Sequence, residues 1–526
     1  MGARTGARAG ARSTATIQPA EVYTGVPKLT EGLAPVATRR PGVKELAIGT
    51  QTITKRVAPR SGVSSLTLRE RSKVLVGGDV LASALAAVGA LVFWGWLDSA
   101  SMWRGRVQWI AILAGAWMLT SLLLGSYIQP HLHRTVRSWG LRTATGGILI
   151  AGYSVVYFLA PRALLPRLVV LFYVGAALML VSMWRWLWDW ASGHDKLRRS
   201  VVIVGAGQQG TSLAEILVGR PNAGYRVVGF VDDDSAMEGL AINVGVGPAI
   251  RVYGSSATLL DLVAAKDADE VVFAFGGLAT PELVQAALVC HEQGVVITTA
   301  ADLFEATTGR VPIQHIGENW GAVLPLAHPG GRALNLAAKR MIDVLGALAG
   351  LFYLGVMLPL LALLIRLDSR GPVMYGQVRT GRGGRRFTIW KLRTMTTDAE
   401  ANGPVWCAPA DPRMTRVGRL LRRTHIDELP QLWNVLRGEM SLVGPRPERP
   451  EIDARLESVI PFYRLRLAVK PGIAGWGAVN GSYVDADEKA VERLEYDLYY
   501  IKHQSLWLDL QIILSAAHRA LTIRGR

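Results

Sequence analysis

The middle of the chain contains the stretch Arg199-Ser-Val-Val-Ile-Val-Gly-Ala-Gly-Gln-Gln-Gly210. Its β-branched run predicts a buried strand, and the glycines that follow predict a tight turn into a helix. Further strands are predicted at residues 227–231, 270–275 and 294–298, with helical patterns such as 281–290 between them. Strands that alternate with helices are typical of a parallel sheet covered on both faces. The sequence therefore predicts a Rossmann-like, doubly wound α/β domain over residues 193–330.

The glycine spacing in this stretch matches the fingerprint of a dinucleotide-binding turn. Gly205, Gly207 and Gly210 would let a pyrophosphate approach the start of the helix, and Asp232 lies about where a ribose-binding acid is expected. The same spacing also suits a tight turn that binds nothing, so the domain is interpreted either as a nucleotide site or as a regulatory or scaffolding module. A Rossmann domain can also serve NAD-dependent redox chemistry, as in a nucleotide-sugar dehydratase. Such an enzyme would need a Tyr-x-x-x-Lys pair, which the sequence lacks.

Four long apolar runs precede the α/β domain, at residues 74–96, 108–128, 143–160 and 166–190. Each run approaches the roughly 20 residues that a helix needs to cross the hydrocarbon core of a bilayer. They predict a four-helix transmembrane bundle over residues 73–192. Residues 1–72 are rich in Gly, Ala, Arg, Ser, Thr and Pro without any apolar period, which predicts a disordered basic tail.

The charge of the chain fits a membrane protein that meets phosphates. Its 526 residues include 58 Lys and Arg against 41 Asp and Glu, a formal net charge of +17. Such an excess suits anionic headgroups or phosphorylated substrates, and the apolar runs make nucleic acid the least favoured partner, so none is predicted. Basic residues accumulate before the first run, between the second and third, and after the fourth. The positive-inside rule therefore places both ends of the bundle in the cytoplasm.

A fifth apolar run, residues 342–365, follows the α/β domain and is flanked by basic residues at both ends. A full crossing would carry the last third of the chain to the opposite side from both ends of the bundle. Pro359 lacks an N–H and is expected to break the helix, which would permit a bend. We therefore predict a re-entrant helix over about 340–366, at the start of an α-rich, membrane-associated catalytic domain spanning residues 337–526.

The last third of the chain contains the stretch Thr424-His-Ile-Asp-Glu-Leu-Pro-Gln-Leu-Trp-Asn434. Apolar residues recur here at helical spacing, and Pro430 suits a first turn. Asp427 and Glu428 are therefore predicted at or near a helix N-terminus, where the dipole and free N–H groups favour anions. Taken alone, two such acids are more often helix caps than catalytic groups.

The last third also resembles the bacterial sugar transferase family, the monotopic polyprenol phosphate phosphoglycosyltransferases. The resemblance covers about residues 339–526 and rests on several motifs that occur in order. These motifs are Lys339-Arg-x-x-Asp343, Asp368-Ser-x-Gly-Pro-Val373, Gln377-x-Arg-x-Gly-x-x-Gly384, Lys391-Leu-Arg-Thr-Met-x-x-Asp-Ala-Glu400, Asp427-Glu-Leu-Pro-Gln431, Gly444-Pro-Arg-Pro447 and Lys470-Pro-Gly-Ile-x-Gly-Trp476. With four spans and an α/β domain upstream, the chain is similar to the large form of that family, which starts exopolysaccharide or O-antigen repeat units.

The resemblance implies a reaction and a location. Asp427 would be the nucleophile that attacks the β-phosphorus of a UDP-sugar, releases UMP and holds the phosphosugar until polyprenyl (undecaprenyl) phosphate takes it. Glu428 would help to hold Mg²⁺. The implied setting is a bacterial inner membrane, with membrane lipid as a further partner and a multi-pass chain whose catalytic domain is cytoplasmic. Neither the sugar nor the presence of a homo-oligomer follows from the sequence.

Four basic residues are candidates for binding substrate phosphates: Lys391, Arg393, Arg446 and Arg379. Arg446 is stiffened between two prolines, whereas the other three belong to a basic cluster that could instead face anionic headgroups. Glu400 is a further candidate for the metal site. Two rival functions remain open, a membrane-bound NAD-dependent nucleotide-sugar dehydratase and a non-catalytic scaffold of polysaccharide export.

Overall fold

The structure is a computed structural model that describes most of the chain after residue 67. The described residues are 68–98, 107–124, 126–127, 135–159, 166–192, 198–220, 224–245, 247–275, 279–313, 332–397, 399, 411–480 and 489–521. Most of the predicted basic tail therefore lies outside the described residues. Its last five positions, 68–72, instead begin the first helix, because Leu, Arg and Glu are good helix formers and extend the apolar helix that follows.

Four helices pack against one another before the α/β domain. They are α1 (Leu68–Asp98), α2 (Gln108–Leu123), α3 (Thr135–Leu159) and α4 (Arg167–Ser192). At their centre the rings of Trp117 and Tyr173 meet edge to face with centroids 6.3 Å apart, and the Tyr173 hydroxyl donates to the Leu113 carbonyl. A buried ion pair, Arg185 to Asp79 at 2.5 Å, joins α4 to α1. The packing fixes the four helices as one unit.

Three helices within the described residues are long and apolar enough to cross a membrane. They cover Lys73–Trp96 in α1, Leu168–Ala191 in α4 and Leu334–Asp368. The helix α2 is apolar but shorter, with 16 residues, and α3 is not among the three, since its first half carries Arg, Ser and Thr. Helices that could cross a membrane are thus present in the described part of the chain, while a bundle of four crossings stays a prediction.

The α/β domain contains a parallel sheet, as the sequence predicted. Its strands are β1 (Arg199–Val204), β2 (Tyr225–Val231), β3 (Ala241–Ile242), β4 (Ile250–Arg251), β5 (Glu270–Phe273) and β6 (Val296–Thr299), and its helices are α5 (Gln208–Val218), α6 (Leu259–Ala265), α7 (Pro281–Glu292) and α8 (Ala300–Thr308). The four-stranded sheet has the order β2-β1-β5-β6 with all neighbours parallel. Val201 and Ile203 pack with α5 and α8, whereas Val202 and Val204 pack with α6 and α7. Alternate side chains of one strand therefore face helices on opposite faces, which is the doubly wound arrangement.

The remaining elements form the C-terminal domain, defined here as the described residues from 332 to 521. They are α9 (Arg332–Asp368), β7 (Met374–Thr380), β8 (Arg386–Leu392), α10 (Arg416–Thr424), α11 (Leu432–Arg437), β9 (Ser441–Val443), α12 (Pro450–Val459), β10 (Gly472–Ala474), α13 (Trp476–Asn480), α14 (Ala490–Lys502) and α15 (Leu506–Leu521). The strands β7 and β8 make an antiparallel hairpin, and β9 pairs with β10 in parallel. The domain is rich in helix, and these short strand pairs position the loops between them.

The long apolar helix α9 lies along the C-terminal domain from one end to the other. Near its start, Arg340 donates to the carbonyls of Val435 and Leu436, and at its end the Asp368 carboxylate accepts from the Val417 N–H. The prediction that Pro359 breaks this helix is wrong, because α9 continues through it to Asp368. A proline inside an apolar helix is tolerated where packing holds both flanking segments, as it does here.

The end of the α/β domain is built into the core of the C-terminal domain. We call residues Gly309–Ile313, directly after α8, the strap. Val311 and Ile313 are buried among side chains of α12 and α14. The Trp476 indole donates to the Gly309 carbonyl at 2.9 Å, and Arg310 lies 3.4 Å from Glu495. The two domains therefore share one packed junction at α14.

Glu495 makes the stability of this junction depend on pH. Burial raises the pKa of Glu495 to about 7, although Arg310 acts to lower it. The folded state thus binds a proton more tightly than the unfolded state, so its stability falls as the pH rises from about 4.5 towards 7. Replacing Glu495 by Gln should remove this fall, worth about 1 to 3 kcal/mol, from thermal unfolding curves recorded at pH 5 and pH 8.

The matched control is Glu492→Gln. Glu492 also lies 3.4 Å from Arg310, but its side chain is 38% exposed. Water screens such a group, so this variant should keep the pH dependence of the wild type. Equal pH dependence in Glu495→Gln and the wild type would contradict the assignment.

Candidate active site

The candidate active site is centred on Asp427 and Glu428, in a short 3-10 helix that covers Ile426–Gln431. The helix α10 ends at Thr424, and His425 directly after it has a left-handed backbone with φ +56°, which changes the direction of the chain just before the two acids. The sequence predicted both acids at or near a helix N-terminus, and they lie in the 3-10 helix directly before α11, which begins at Leu432. Both carboxylates are buried. The Asp427 Oδ1 atom accepts no hydrogen bond from any described residue.

Glu428 is held by two cations that come from distant parts of the chain. Lys391, on β8, places Nζ 3.1 Å from Glu428 Oε1. Arg446, from the loop after β9, donates from Nη2 to Oε1 at 2.8 Å and from Nη1 to Oε2 at 3.4 Å. The bidentate contact suits an arginine and fixes the plane of the carboxylate. The structure thus brings together two of the four basic residues predicted for phosphate binding.

The two neighbouring carboxyl groups have pKa values shifted in opposite directions. Burial and the adjacent Glu428 raise the pKa of Asp427 to about 6, against the lowering effects of Lys391, Arg422 and Arg446. Burial would also raise the pKa of Glu428, but Arg446 and Lys391 outweigh it and hold that pKa well below its usual range. Glu428 therefore stays ionised and paired, whereas Asp427 is the more basic carboxylate of the two and has an oxygen available.

Arg379 lies at the edge of this cluster and holds the loop of Arg446. Its Nη1 donates to the Pro447 carbonyl at 3.1 Å and lies 3.5 Å from Glu448 Oε2, and its Nη2 donates to Gln377 at 2.6 Å. Burial lowers the pKa of Arg379. Its contacts in the structure are therefore with the protein, and its predicted contact with substrate stays a prediction.

Arg393 lies at the end of α9 rather than beside Glu428. Its guanidinium donates to the carbonyls of Ser369 at 2.7 Å, Arg370 at 2.9 Å and Ile365 at 3.4 Å. Ile365 lies in the last turn of α9, where its carbonyl also accepts from the Ser369 N–H, and Ser369 and Arg370 directly follow the helix. Arg393 therefore caps the apolar helix, and these bonds do not favour the phosphate role predicted for it.

Sequence reasoning did not single out Arg422. It lies on α10, donates to the Thr394 hydroxyl at 3.0 Å, and its charge acts on Asp427. Its side chain is brought to the site by the helix that precedes the acids.

A magnesium site would have to be completed by the substrate. Within the described part of the chain, no group of three or more His, Cys, Asp or Glu side chains converges. Asp427 with its unpartnered Oδ1, next to Glu428, still fits Mg²⁺, which protein sites often bind through one or two carboxylates plus substrate phosphates and water. Glu400, the third acid considered, lies outside the described residues.

The glycine-rich turn of the α/β domain has the geometry that its spacing predicts. Gly205 has φ +105° and lies so close to the Ala274 carbonyl that a Cβ would be 2.6 Å from it. A Cβ on Gly210 would overlap the Gly205 carbonyl, whereas one on Gly207 would meet no atom within 4 Å. The turn is therefore tight where it packs and open at Gly207. Asp232 accepts from the Ala206 N–H at 2.6 Å, so its carboxylate already braces the turn.

Comparison with known proteins places these features in families. A family model described as Bacterial sugar transferase matches residues 334–522, and one described as CoA-binding domain matches residues 124–297. The UDP-glucose:undecaprenyl-phosphate glucose-1-phosphate transferase of Escherichia coli (strain K12) is 31% identical over 327 residues, which cover 62% of this chain and 68% of that protein. The chain belongs to the bacterial sugar transferase family. The resemblance drawn from the motifs is thereby confirmed.

Two further members of the family are similar over shorter shares of their length. The UDP-N-acetylgalactosamine-undecaprenyl-phosphate N-acetylgalactosaminephosphotransferase of Aeromonas hydrophila is 42% identical over 220 residues, 41% of this chain. The undecaprenyl-phosphate glucose phosphotransferase of Komagataeibacter xylinus is 35% identical over 345 residues, 63% of this chain. The matches span 50% and 60% of these two relatives, respectively. Relatives named for different sugars are thus similar to this chain.

Proposed function

We propose that the chain transfers a sugar 1-phosphate from a UDP-sugar to polyprenyl phosphate and releases UMP. The observation that carries this proposal is the buried Asp427, which has one oxygen without a partner beside a Glu428 held by two cations. A carboxylate is a competent nucleophile for phosphoryl transfer when a covalent intermediate divides one step into two. The relatives' names support the substrate class. The product would begin an exopolysaccharide or O-antigen repeat unit.

The reaction would proceed through two displacements at one phosphorus. An Asp427 oxygen attacks the β-phosphorus of the UDP-sugar, and the bond to the UMP oxygen breaks with its electron pair leaving on UMP. The enzyme then carries the sugar phosphate as an aspartyl phosphate. An oxygen of the polyprenyl phosphate attacks the same phosphorus, restores the Asp427 carboxylate and leaves a polyprenyl diphosphate sugar. Because Asp427 is more basic than Glu428, it is the better nucleophile of the pair.

The cations of the site would offset the charge of the diphosphate. Arg446 and Lys391 lie on one side of Glu428 and would stabilise negative charge that develops on the phosphoryl oxygens. Mg²⁺, when bound by Glu428 together with Asp427 and the substrate, would add the same electrostatic stabilisation. The chain's own residues orient the donor, and burial of both acids excludes water from the aspartyl phosphate.

The helix α9 supports a reaction at the membrane surface. One face of α9, with Ala347, Leu354 and Ile365, is buried against the C-terminal domain, while Phe352 and Leu367 are at least 75% exposed. A 37-residue helix is about 55 Å long, far more than the roughly 30 Å of a hydrocarbon core. Since the polar C-terminal domain contacts both ends of α9, an upright crossing would draw that domain into the bilayer. We infer that both ends of α9 face the cytoplasm at a bacterial inner membrane.

The orientation can be tested by labelling single cysteines in sealed inner-membrane vesicles. A cysteine in place of Arg464, an exposed residue of the C-terminal domain, should react only with reagents that reach the cytoplasmic side. A cysteine at residue 330, ahead of α9, should behave in the same way. Opposite sidedness of the two positions would show that α9 crosses the membrane.

The decisive assay measures UMP released from a panel of UDP-sugars with undecaprenyl phosphate and Mg²⁺. UMP release beyond one equivalent per enzyme should need the lipid phosphate, and all release should stop with EDTA. Turnover that requires NAD⁺ would favour the nucleotide-sugar dehydratase, and no turnover with any donor would favour a scaffold of polysaccharide export.

A second candidate function concerns the glycine-rich turn. Gly205 and Gly210 pack too closely against the backbone to carry a side chain, whereas Gly207 between them is open. This opening supports a phosphate-containing ligand at the start of α5. Gly207 has an ordinary φ of −70°, and a Cβ there would meet no atom within 4 Å, so Gly207→Val should keep the fold while it blocks the approach. We expect binding of CoA or NAD⁺, measured by calorimetry, to be lost in this variant while UMP release is unchanged. Equal binding by variant and wild type would exclude the turn as the site.

A further inference from the structure

The loop that presents Arg446 is fixed at three consecutive carbonyls. The Pro445 carbonyl accepts from the Gly472 N–H at 2.9 Å, the Arg446 carbonyl from Arg466 Nη2 at 2.8 Å, and the Pro447 carbonyl from Arg379 Nη1 at 3.1 Å. Two of these residues are prolines, which have no N–H, so carbonyls are the groups by which the backbone can be held. The backbone that bears Arg446 is therefore anchored directly by Arg466.

Arg466 uses all of its donors inside the protein. Nε and Nη2 donate to Asp497 Oδ2 at 3.2 and 3.0 Å, and Nη1 donates to the Tyr463 hydroxyl at 2.9 Å and lies 3.4 Å from Asp453 Oδ1. With the bond to Arg446, these contacts account for the five N–H groups of a guanidinium. The side chain is only 2% exposed. Arg466 has no N–H left for a substrate, so it acts on the reaction only through the residues that it holds.

The helix α14 connects this anchor to the α/β domain. Asp497, which binds Arg466, and Glu495, which lies beside Arg310 of the strap, are two positions apart on α14. Side chains two positions apart point to nearly opposite sides of a helix. One side of α14 therefore receives the strap while the other holds the anchor of the Arg446 loop.

We propose that Arg466 is a positioning residue that holds Arg446 over Glu428 for the donor diphosphate. This inference rests on the proposed function, because it concerns the use of the UDP-sugar. A buried cation is stable only when its N–H groups are paired. Here Asp453 and Asp497 neutralise Arg466 and orient its Nη2 towards the Arg446 carbonyl. The α/β domain contributes to this arrangement by packing its strap on the far side of α14.

The test is a double-mutant cycle between Arg466→Lys and Arg446→Ala. Lysine keeps the positive charge but cannot reproduce the planar fork that spans Asp497 and the Arg446 carbonyl. Arg466→Lys alone should lower kcat/KM for the UDP-sugar about 10- to 100-fold by misplacing Arg446. It should leave kcat/KM for undecaprenyl phosphate unchanged, because in a double displacement each kcat/KM reports only its own half-reaction. In the Arg446→Ala background the same substitution should change kcat/KM less than twofold.

A merely structural role would give a different pattern. Loss of folded enzyme would lower kcat/KM for both substrates by one common factor and leave both KM values unchanged. The factor would be the same in the Arg446→Ala background. That result would overturn the proposal. Arg199→Lys is the matched control, a buried arginine paired with Glu270 in the α/β domain, and should leave the donor kcat/KM unchanged. If Arg466→Lys does not fold, Asp497→Asn enters the same cycle, because it removes the negative charge that pairs with Arg466 at nearly constant volume.

The wild-type enzyme separates failure of the inference from failure of the proposed function. Turnover by the wild type together with an additive cycle would refute only the positioning role. Absence of UMP release by the wild type with every UDP-sugar would refute the proposed function, and with it this inference.

Discussion

Asp427→Asn is expected to lower the rate of UMP release by about 10³- to 10⁵-fold and to leave the fold intact. Asparagine has nearly the shape of aspartate, but its amide is not a nucleophile for phosphorus. The Oδ1 atom of Asp427 accepts no hydrogen bond from a described residue, and the carboxylate is buried beside another acid. The substitution therefore breaks no hydrogen bond at that atom, and the free energy of unfolding should change by about 1 kcal/mol or less.

Intact-mass measurement gives this prediction a second readout. After incubation with the correct UDP-sugar and no lipid, the wild-type chain should gain the mass of one phosphosugar, and Asp427→Asn should gain none. Asp411→Asn is the control, because Asp411 is also buried but is paired with Arg413 at 2.6 Å away from Glu428. Substantial turnover by Asp427→Asn, or an adduct on that variant, would contradict the nucleophile assignment.

Arg446→Ala is expected to lower kcat/KM for the UDP-sugar by about 10²- to 10³-fold, which is the usual effect of removing one preorganised donor from a site of developing charge. The substitution leaves Glu428 with Lys391 as its remaining cation in this cluster, so the pKa of Glu428 should rise from its lowered value. The loss of a positive charge should weaken binding of the diphosphate as well. Steady-state kinetics with the donor varied and the lipid saturating measure the effect.

Two further variants test the role of Arg446 in donor binding. Arg446→Lys should recover only part of the loss, because lysine cannot donate in bidentate fashion to a carboxylate. Arg464→Ala removes an arginine that is 74% exposed and pairs with Glu457, and exposed pairs contribute little. This control should keep the wild-type kcat/KM. A loss in Arg446→Ala no greater than in Arg464→Ala would show that the loop has no part in donor binding.

Local patterns predicted much of the fold and the identity of the central acids. The run Val201–Val204 has a strand pattern in any context, since β-branched residues on alternate faces suit a sheet buried on both sides. The pair Asp427 and Glu428 was identified from the motif that surrounds it, and the structure buries both side chains. Predictions of this kind succeed because they depend on neighbours within one or two turns of chain.

The contacts that each basic residue makes could not be predicted in this way. Arg393 and Lys391 lie two positions apart on or next to one strand, yet Lys391 reaches Glu428 whereas Arg393 caps α9. Arg466 was not singled out at all, because Arg446, Asp453 and Asp497 are brought to it from separate segments. The continuation of α9 through Pro359 likewise depends on packing along its whole length.

The sequence by itself determined the alternating strands and helices of the α/β domain, its glycine-rich turn, and which family the chemistry resembles, because these depend on short-range periodicity and on ordered motifs. Only the tertiary structure decided which cations meet Glu428, which brace the Arg446 loop, and how the strap joins the two domains at α14. The physical reason is that a buried charge is stable only where several partners surround it at once. Those partners come from segments that are distant in sequence and adjacent only after folding.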